Sequence, residues 1–316
     1  MALEPKSRYN YNLGYNAFLA WLRDRSSDAS KATTFKNSHE LDLVLSRFLN
    51  DIYHDAEGKV SHANGAVFGL EHLFPELKGM LPRSRQSLTA WRKRRPGKSR
   101  PPLDRNLAYF LAMRFARAGR LDLCLAVLLS FVCMLRVSEL ARLRTEDIFV
   151  PGDGRIGSAQ RVPLLRLGKT KTLNELSADV DDPFVAALLV WFKRDRCRPG
   201  KYVFAWSSST VMKTRIKAVG DHFREAIHAE CRRCGLSKRY TPHCLRHGGA
   251  SYRMLCGASI EQVMLLGRWA SSTSARRYIQ KARALELAAK IPPRVARAAA
   301  VIERNPVAAL RVALSQ

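Results

Sequence analysis

Acidic residues are scarce in this chain: 27 Asp and Glu stand against 54 Lys and Arg over 316 residues, for a formal net charge of +27. The pI near 10.4 implies an anionic partner. An extended polyphosphate is the natural candidate, because each neutralised phosphate releases counterions without any sequence being read. Charge alone does not separate this from a nonspecific, ribosomal-type basic protein. Long apolar runs are also missing. The longest, Leu123 to Leu135, is interrupted by Ser130 and is too short to span a bilayer, so no membrane partner is expected. The start, MALEPKSRYNYN, lacks the apolar centre of a signal peptide. Cysteine is present seven times, an odd number in mostly apolar or helical surroundings, which implies no disulfide framework. These absences together lead us to expect a reducing compartment, cytoplasm or nucleus.

What is present concentrates between Thr241 and Tyr278. Thr241 can cap a helix, and Pro242 suits its first position, where no N–H is needed. His243 and Arg246 then share one face of the first turns, beside amides and a dipole end that favour an anion. A phosphate would sit well there. Ser259 and Gln262 form a capping box for a second helix that turns Ile260, Val263 and Leu266 to a core, and Gly267 can end it in a left-handed turn. Trp269 follows. The cluster Ser271 to Ser274 starts a third helix, expected to carry Tyr278 behind Arg276 and Arg277 and to continue to about Lys290.

The order H-x-x-R, then L-G-R-W, then tyrosine resembles the C-terminal box of the tyrosine recombinase (phage integrase) family, with a Cre-like active-site pattern. The family also carries an arginine in an R-x-S-E-L box and a lysine on a β-hairpin between the two. Both are matched here, by Arg136 in LRVSELARL and by Lys171 in GKTKT. The resemblance covers residues 103 to 290. It implies a mainly α fold with a small antiparallel β-sheet, in which an N-terminal helical core-binding bundle precedes an α+β catalytic domain.

The rest of the chain fits that plan. Residues 1–91 read as short amphipathic helices, marked by Tyr15, Phe18, Leu19 and Leu22, by Leu41, Val44, Leu45, Phe48 and Ile52, by Val67, Leu70 and Phe74, and by Leu88 and Trp91. They contain no catalytic constellation; by resemblance they are the DNA-gripping core-binding domain. Residues 92–102, RKRRPGKSRPP, are a basic linker that could be a solvated run, a nuclear address or a crossing of the duplex backbone; we favour phosphate contact. Helices are expected at about 104–118 and 121–134, then strands at Ile148 to Val150, Arg161 to Leu167 and Leu173 to Leu176. Residues 183–236 return to helix, with YVFAW at 202–206 expected to be buried. Cys231 and Cys234, near His228, form a lone C-x-x-C without a second pair, too little for a zinc site. Residues 291–316 read as a tail helix, folded on its own domain or, as in many family members, docked on a neighbouring protomer.

By resemblance, the catalytic set is Arg136, Lys171, His243, Arg246, Trp269 and Tyr278, acting on double-stranded DNA in a homotetramer without metal or nucleotide cofactor. Tyr278 would attack phosphorus and form a 3′-phosphotyrosine. Arg136 and Arg246 would clamp the non-bridging oxygens through planar, permanently charged forks. Lys171, with Lys169 as the alternative, would protonate the departing 5′ oxygen, and His243 would assist proton transfer at the tyrosine. Trp269, where many relatives have histidine, can orient and pack but carry no proton. Glu139 reads as a support for Arg136, and His247 as either a support or a core residue. Two other readings stay open: a type IB-like topoisomerase, and a DNA-binding protein that has lost catalysis.

Overall fold

The computed structural model describes residues 5–25, 37–55, 59–95, 99–157, 159–168, 176–236 and 240–315. The chain divides into two compact units, Met1–Lys98 and Ser99–Gln316. Helices dominate both, as the sequence leads one to expect, with one small antiparallel sheet in the second.

The first unit holds α1 (Pro5–Arg25), α2 (Ser38–His54), α3 (Val60–Leu73) and α4 (Pro82–Arg94), with a 3₁₀ turn at Pro75–Leu77. Its core forms where the apolar periodicity points inward: Phe18, Leu45, Phe48, Val67 and Leu88 are all but inaccessible to solvent. α1 and α3 approach backbone to backbone at Gly14 and Gly65, where an added Cβ would overlap main-chain atoms of the facing helix. The start of α4 is capped from outside the helix. Asp42 of α2, 1% exposed, accepts from the Arg83 and Ser84 N–H groups at 2.8 and 2.9 Å and from Ser84 Oγ at 2.7 Å.

In the second unit α5 (Arg105–Arg117) and α6 (Leu121–Val132) pack together, and α6 also meets the later helices α8 (Pro183–Arg196) and α10 (Pro242–Leu255). Every residue of α6 except Asp122 is buried, which accounts for its nearly all-round apolar sequence. α7 (Val137–Arg142) follows, then β1 (Ile148–Phe149), β2 (Leu164–Arg166) and β3 (Ser177–Asp179) in spatial order β1-β2-β3. Of the strand expected at Leu173 to Leu176, residues 173–175 lie outside the described residues; β3 pairs Leu165 with Ala178, and the Leu167 N–H donates to the Leu176 carbonyl at 2.7 Å. α9 (Met212–Arg233) completes the middle of the unit. Of YVFAW, Val203 and Phe204 are buried, Tyr202 and Trp206 partly so, and Ala205 is exposed.

After α10 come α11 (Ile260–Gly267), α12 (Ser272–Arg276), α13 (Lys281–Ala288), α14 (Pro293–Arg304) and α15 (Pro306–Leu314). Two expectations change here. The helix expected to carry Tyr278 stops at Arg276, and the tail is two helices rather than one, broken where Asn305 caps α15 and Pro306 removes an N–H. Both tail helices lie on α5, with Val295, Ala299 and Ala313 in the unit's own core, and Glu303 accepts from Arg105 Nε at 2.8 Å.

Candidate active site

α10 brings the first two candidates together. Thr241 is extended at the N-cap, Pro242 takes the first helical position, and Cys244 Sγ accepts from the Thr241 N–H at 3.3 Å. A thiol therefore closes the box where Glu or Gln would be usual. His243, Arg246, His247 and Ser251 follow at helical spacing and form one stripe.

The face of this stripe meets Tyr278. The tyrosine lies two residues beyond α12, its N–H held by the Ala275 carbonyl at 2.8 Å. Ser251 Oγ fixes the following link, donating to the Tyr278 carbonyl at 3.4 Å and accepting from the Gln280 N–H at 2.9 Å. The half-buried Tyr278 ring stacks on His247 at 4.5 Å, lies against Trp269 at 4.9 Å and meets His243 edge-on at 5.2 Å. The Arg246 guanidinium carbon is 4.3 Å from the Trp269 ring centre and 5.4 Å from that of Tyr278. Four of the six candidates thus share one cluster.

Arg136 joins them through a buried charge network. It caps α7, and Glu139 reaches back to accept from its N–H and from Nη1, both at 2.7 Å. The same carboxylate accepts from Arg268 Nη2 at 3.1 Å, and the Arg268 and Glu139 side chains are each only 3% exposed. Burial alone would raise the Glu139 pKa, but Arg268, the Arg136 N–H, Arg136 and Arg246 outweigh it and hold it below the usual carboxylate range. The link between α6 and α7 is also strained: Met134 has φ +50. Its carbonyl accepts from Arg246 Nη1 and from Arg268 Nη2, so two buried cations stabilise a turn that a side chain disfavours.

Arg268 is the residue that sequence reasoning missed, although it stands inside the quoted L-G-R-W. It also takes the left-handed turn expected of Gly267, with φ +56. Gly267 is required for a different reason. A Cβ there would overlap ring carbons of Trp269, and its carbonyl accepts from Arg246 Nη2 at 2.5 Å. The expected Ser259–Gln262 box is present, with the Ser259 N–H donating to Gln262 Oε1 at 2.8 Å. Ser251 and Gln280 also escaped notice; Gln280 Nε2 contacts His247 Nδ1 at 2.9 Å and donates to Ser99 Oγ at 2.8 Å.

The electrostatics favour an anion. Burial lowers the pKa of His243 to about 4, helped by Arg100, Arg246 and Arg136; burial and His243 do the same to His247. Both imidazoles are therefore neutral near pH 7. Burial and the neighbouring Arg136 and Arg268 likewise pull Arg246 down, with Glu139 opposing; a guanidinium nevertheless stays charged at neutrality. Three buried donors of the cluster, Arg246 Nε, Arg268 Nε and Trp269 Nε1, have no partner among the described residues. Lys171 and its alternative Lys169 lie outside the described residues. Among the described residues no group of three metal-ligating side chains occurs, and no helix is long and apolar enough to cross a membrane.

Comparison with known proteins bears on this geometry. No curated protein matches the chain. A lambda integrase dimer bound to a COC' core site is similar in fold, with a TM-score of 0.54 and 20% identity, over 89% of this chain and 73% of that one. A shorter lambda integrase, residues 75–356, also bound to a COC' core site, gives 0.52 and 20% over 86% and 91%. A lambda integrase tetramer bound to a Holliday junction gives 0.50 and 18% over 88% and 81%. The model of the phage integrase family matches residues 112–284, more than half of the chain and the stretch that contains all six candidates. With that match added to the fold, this chain belongs to the phage integrase family, the tyrosine recombinases.

Proposed function

We propose that the chain is a site-specific DNA recombinase that cuts and rejoins strands through a 3′-phosphotyrosine. One observation carries the reading: Tyr278 is wedged among His243, His247 and Trp269 beside a buried arginine, and two of the cluster's three buried donors without an acceptor among the described residues, Arg246 Nε and Trp269 Nε1, belong to side chains packed against it. A buried N–H without a partner costs about 1–3 kcal/mol, and a phosphate oxygen removes that cost.

In the first step Tyr278 Oη attacks phosphorus and the bond to the 5′ oxygen breaks. The phenolic proton passes to neutral His243, and Lys171 supplies a proton to the leaving 5′ oxygen. Arg136 and the free N–H groups of Arg246 bear the charge that builds on the non-bridging oxygens, while Trp269 adds one donor. The 5′-hydroxyl of another strand then reverses the step. One phosphoester replaces another, so bond energy is conserved. The role of Lys171 rests on the resemblance alone.

Around this centre, residues 1–91 would grip the duplex, the basic stretch 92–102 would track its backbone, and four protomers would assemble on the DNA. The test is incubation with nicked suicide substrates from the protein's own genomic flanks. A covalent protein–DNA adduct is expected from the native chain and none from Tyr278→Phe, with DNA affinity nearly unchanged. An adduct that persists in the variant overturns the assignment of the nucleophile.

A further inference from the structure

The second unit carries another concentration of positive charge, and the chemistry above does not use it. A cavity of about 720 Å³ opens between the end of α7, the loop 197–210 and the start of α9. Arg144, Arg196, Arg198, Lys201 and Arg215 line it, together with the hydroxyl-bearing residues Tyr202, Ser207, Ser208, Ser209 and Thr210. No Asp or Glu lines it. The carboxylates that touch this set both meet Arg144: Glu146 lies 3.8 Å from its guanidinium, and Asp147 accepts from its backbone N–H at 3.0 Å.

The floor is built rather than incidental. Arg215 is 1% exposed, and its guanidinium is fixed by three carbonyls: Ala141 at 2.8 Å, Ser207 at 2.6 Å and Phe204 at 2.6 Å. Three of its five N–H groups are thereby used, and among the described residues no carboxylate pairs with it. Tyr202 lies between two guanidiniums, 3.6 Å from Arg215 and 4.6 Å from Arg144. Burial depresses the Arg215 pKa, Tyr202 opposes the shift and Arg144 adds to it, and the net direction is that expected of a buried cation with no carboxylate beside it. At the rim, Arg196, Arg198 and Lys201 are exposed and make no ion pair among the described residues.

A buried, uncompensated guanidinium beneath three free cations and a row of hydroxyls matches a tetrahedral oxyanion of high charge. We propose that this cavity is a phosphate-binding pocket, separate from the cluster around Tyr278, and that it takes a backbone phosphate of the bound duplex. The duplex as source rests on the proposed function. Arg215 bonds to the carbonyl of Ala141 in the helix that Arg136 caps.

The double variant Arg198→Gln/Lys201→Gln tests this without touching the floor or the Tyr278 cluster, and its thermal midpoint should match that of the native chain. Two titrations are made on each protein: duplex DNA at several salt concentrations, and inorganic pyrophosphate without DNA. The expected result is a salt slope shallower by about 0.9, the value for the one backbone phosphate that the pocket takes, with pyrophosphate affinity reduced about tenfold or more, since one charge-assisted contact is worth about tenfold. An unchanged slope together with unchanged pyrophosphate affinity overturns the pocket. Loss of pyrophosphate binding with an unchanged slope overturns the duplex as its source and leaves a free phosphate compound as the ligand. If the native chain binds no duplex at all, the proposed function fails, and the pyrophosphate titration still decides the pocket.

Discussion

Glu139→Gln is expected to destabilise the second unit by about 3–5 kcal/mol, the usual cost of removing one partner from a buried ion pair. The carboxylate is 3% exposed and accepts three bonds: from Arg136 Nη1 and the Arg136 N–H at 2.7 Å, and from Arg268 Nη2 at 3.1 Å. Glutamine preserves the shape but turns an NH₂ toward one of these donors. Arg268, itself buried, then has no counter-charge, and Arg136 and Arg246 repel it further. Against a total stability of about 5–15 kcal/mol for a typical domain, this is a large fraction. Equilibrium unfolding in urea at pH 7 measures it, and with a slope of about 1–3 kcal/mol per molar the midpoint should fall by 1 M or more. Arg268→Met supplies the control: in the double variant no buried carboxylate–Arg268 pair is left half-made, so the combined loss should be smaller than the sum by about 1–3 kcal/mol. A shift below about 1 kcal/mol in Glu139→Gln, or losses that add to within about 0.5 kcal/mol, would refute the network as a stabilising unit.

Two further outcomes follow from the same cluster. Gly267→Ala places a methyl group in the Trp269 ring, so overpacking should cost about 1–3 kcal/mol and move the indole away from Arg246; an unchanged melting point and unchanged Trp fluorescence would show that the ring has room. The histidines give a pH dependence whose sign is fixed by their depressed pKa values, about 4 when folded against 6.5 otherwise. Between those values the unfolded chain binds more protons, so stability is complete above about pH 6.5 and falls as pH drops toward 4. The slope is at most about 1.4 kcal/mol per pH unit for each histidine, and less for half-buried His243, which solvent screens. His243→Gln/His247→Gln should flatten urea midpoints compared between pH 7 and pH 5; the same slope in that variant would mean that other groups set it.

Much of this site was legible in the sequence because its parts are local. His243 and Arg246 lie one turn apart on a helix that Pro242 begins, and Ser259 with Gln262 marks the next start, so short-range rules suffice. The N-terminal apolar periodicities likewise mark four helices with their buried faces. What the sequence hid depends on contacts distant along the chain. Gly267 looks like a helix terminator, yet the turn falls on Arg268, because the space glycine leaves is filled by Trp269 and because Glu139 and the Met134 carbonyl, more than a hundred residues away, hold the arginine in place. Tyr278 reads as helical after a serine cluster. Ser251, on another helix, captures the Gln280 N–H and draws the chain out of helical register, which leaves the tyrosine ring on a short non-helical link against His247. The same reasoning separates the two positive sites. The cluster at Tyr278 is announced by a motif, whereas the cavity over Arg215 gathers Arg144, Arg198, Lys201 and Arg215 from three segments with no shared pattern, and only the fold brings their charges to one place.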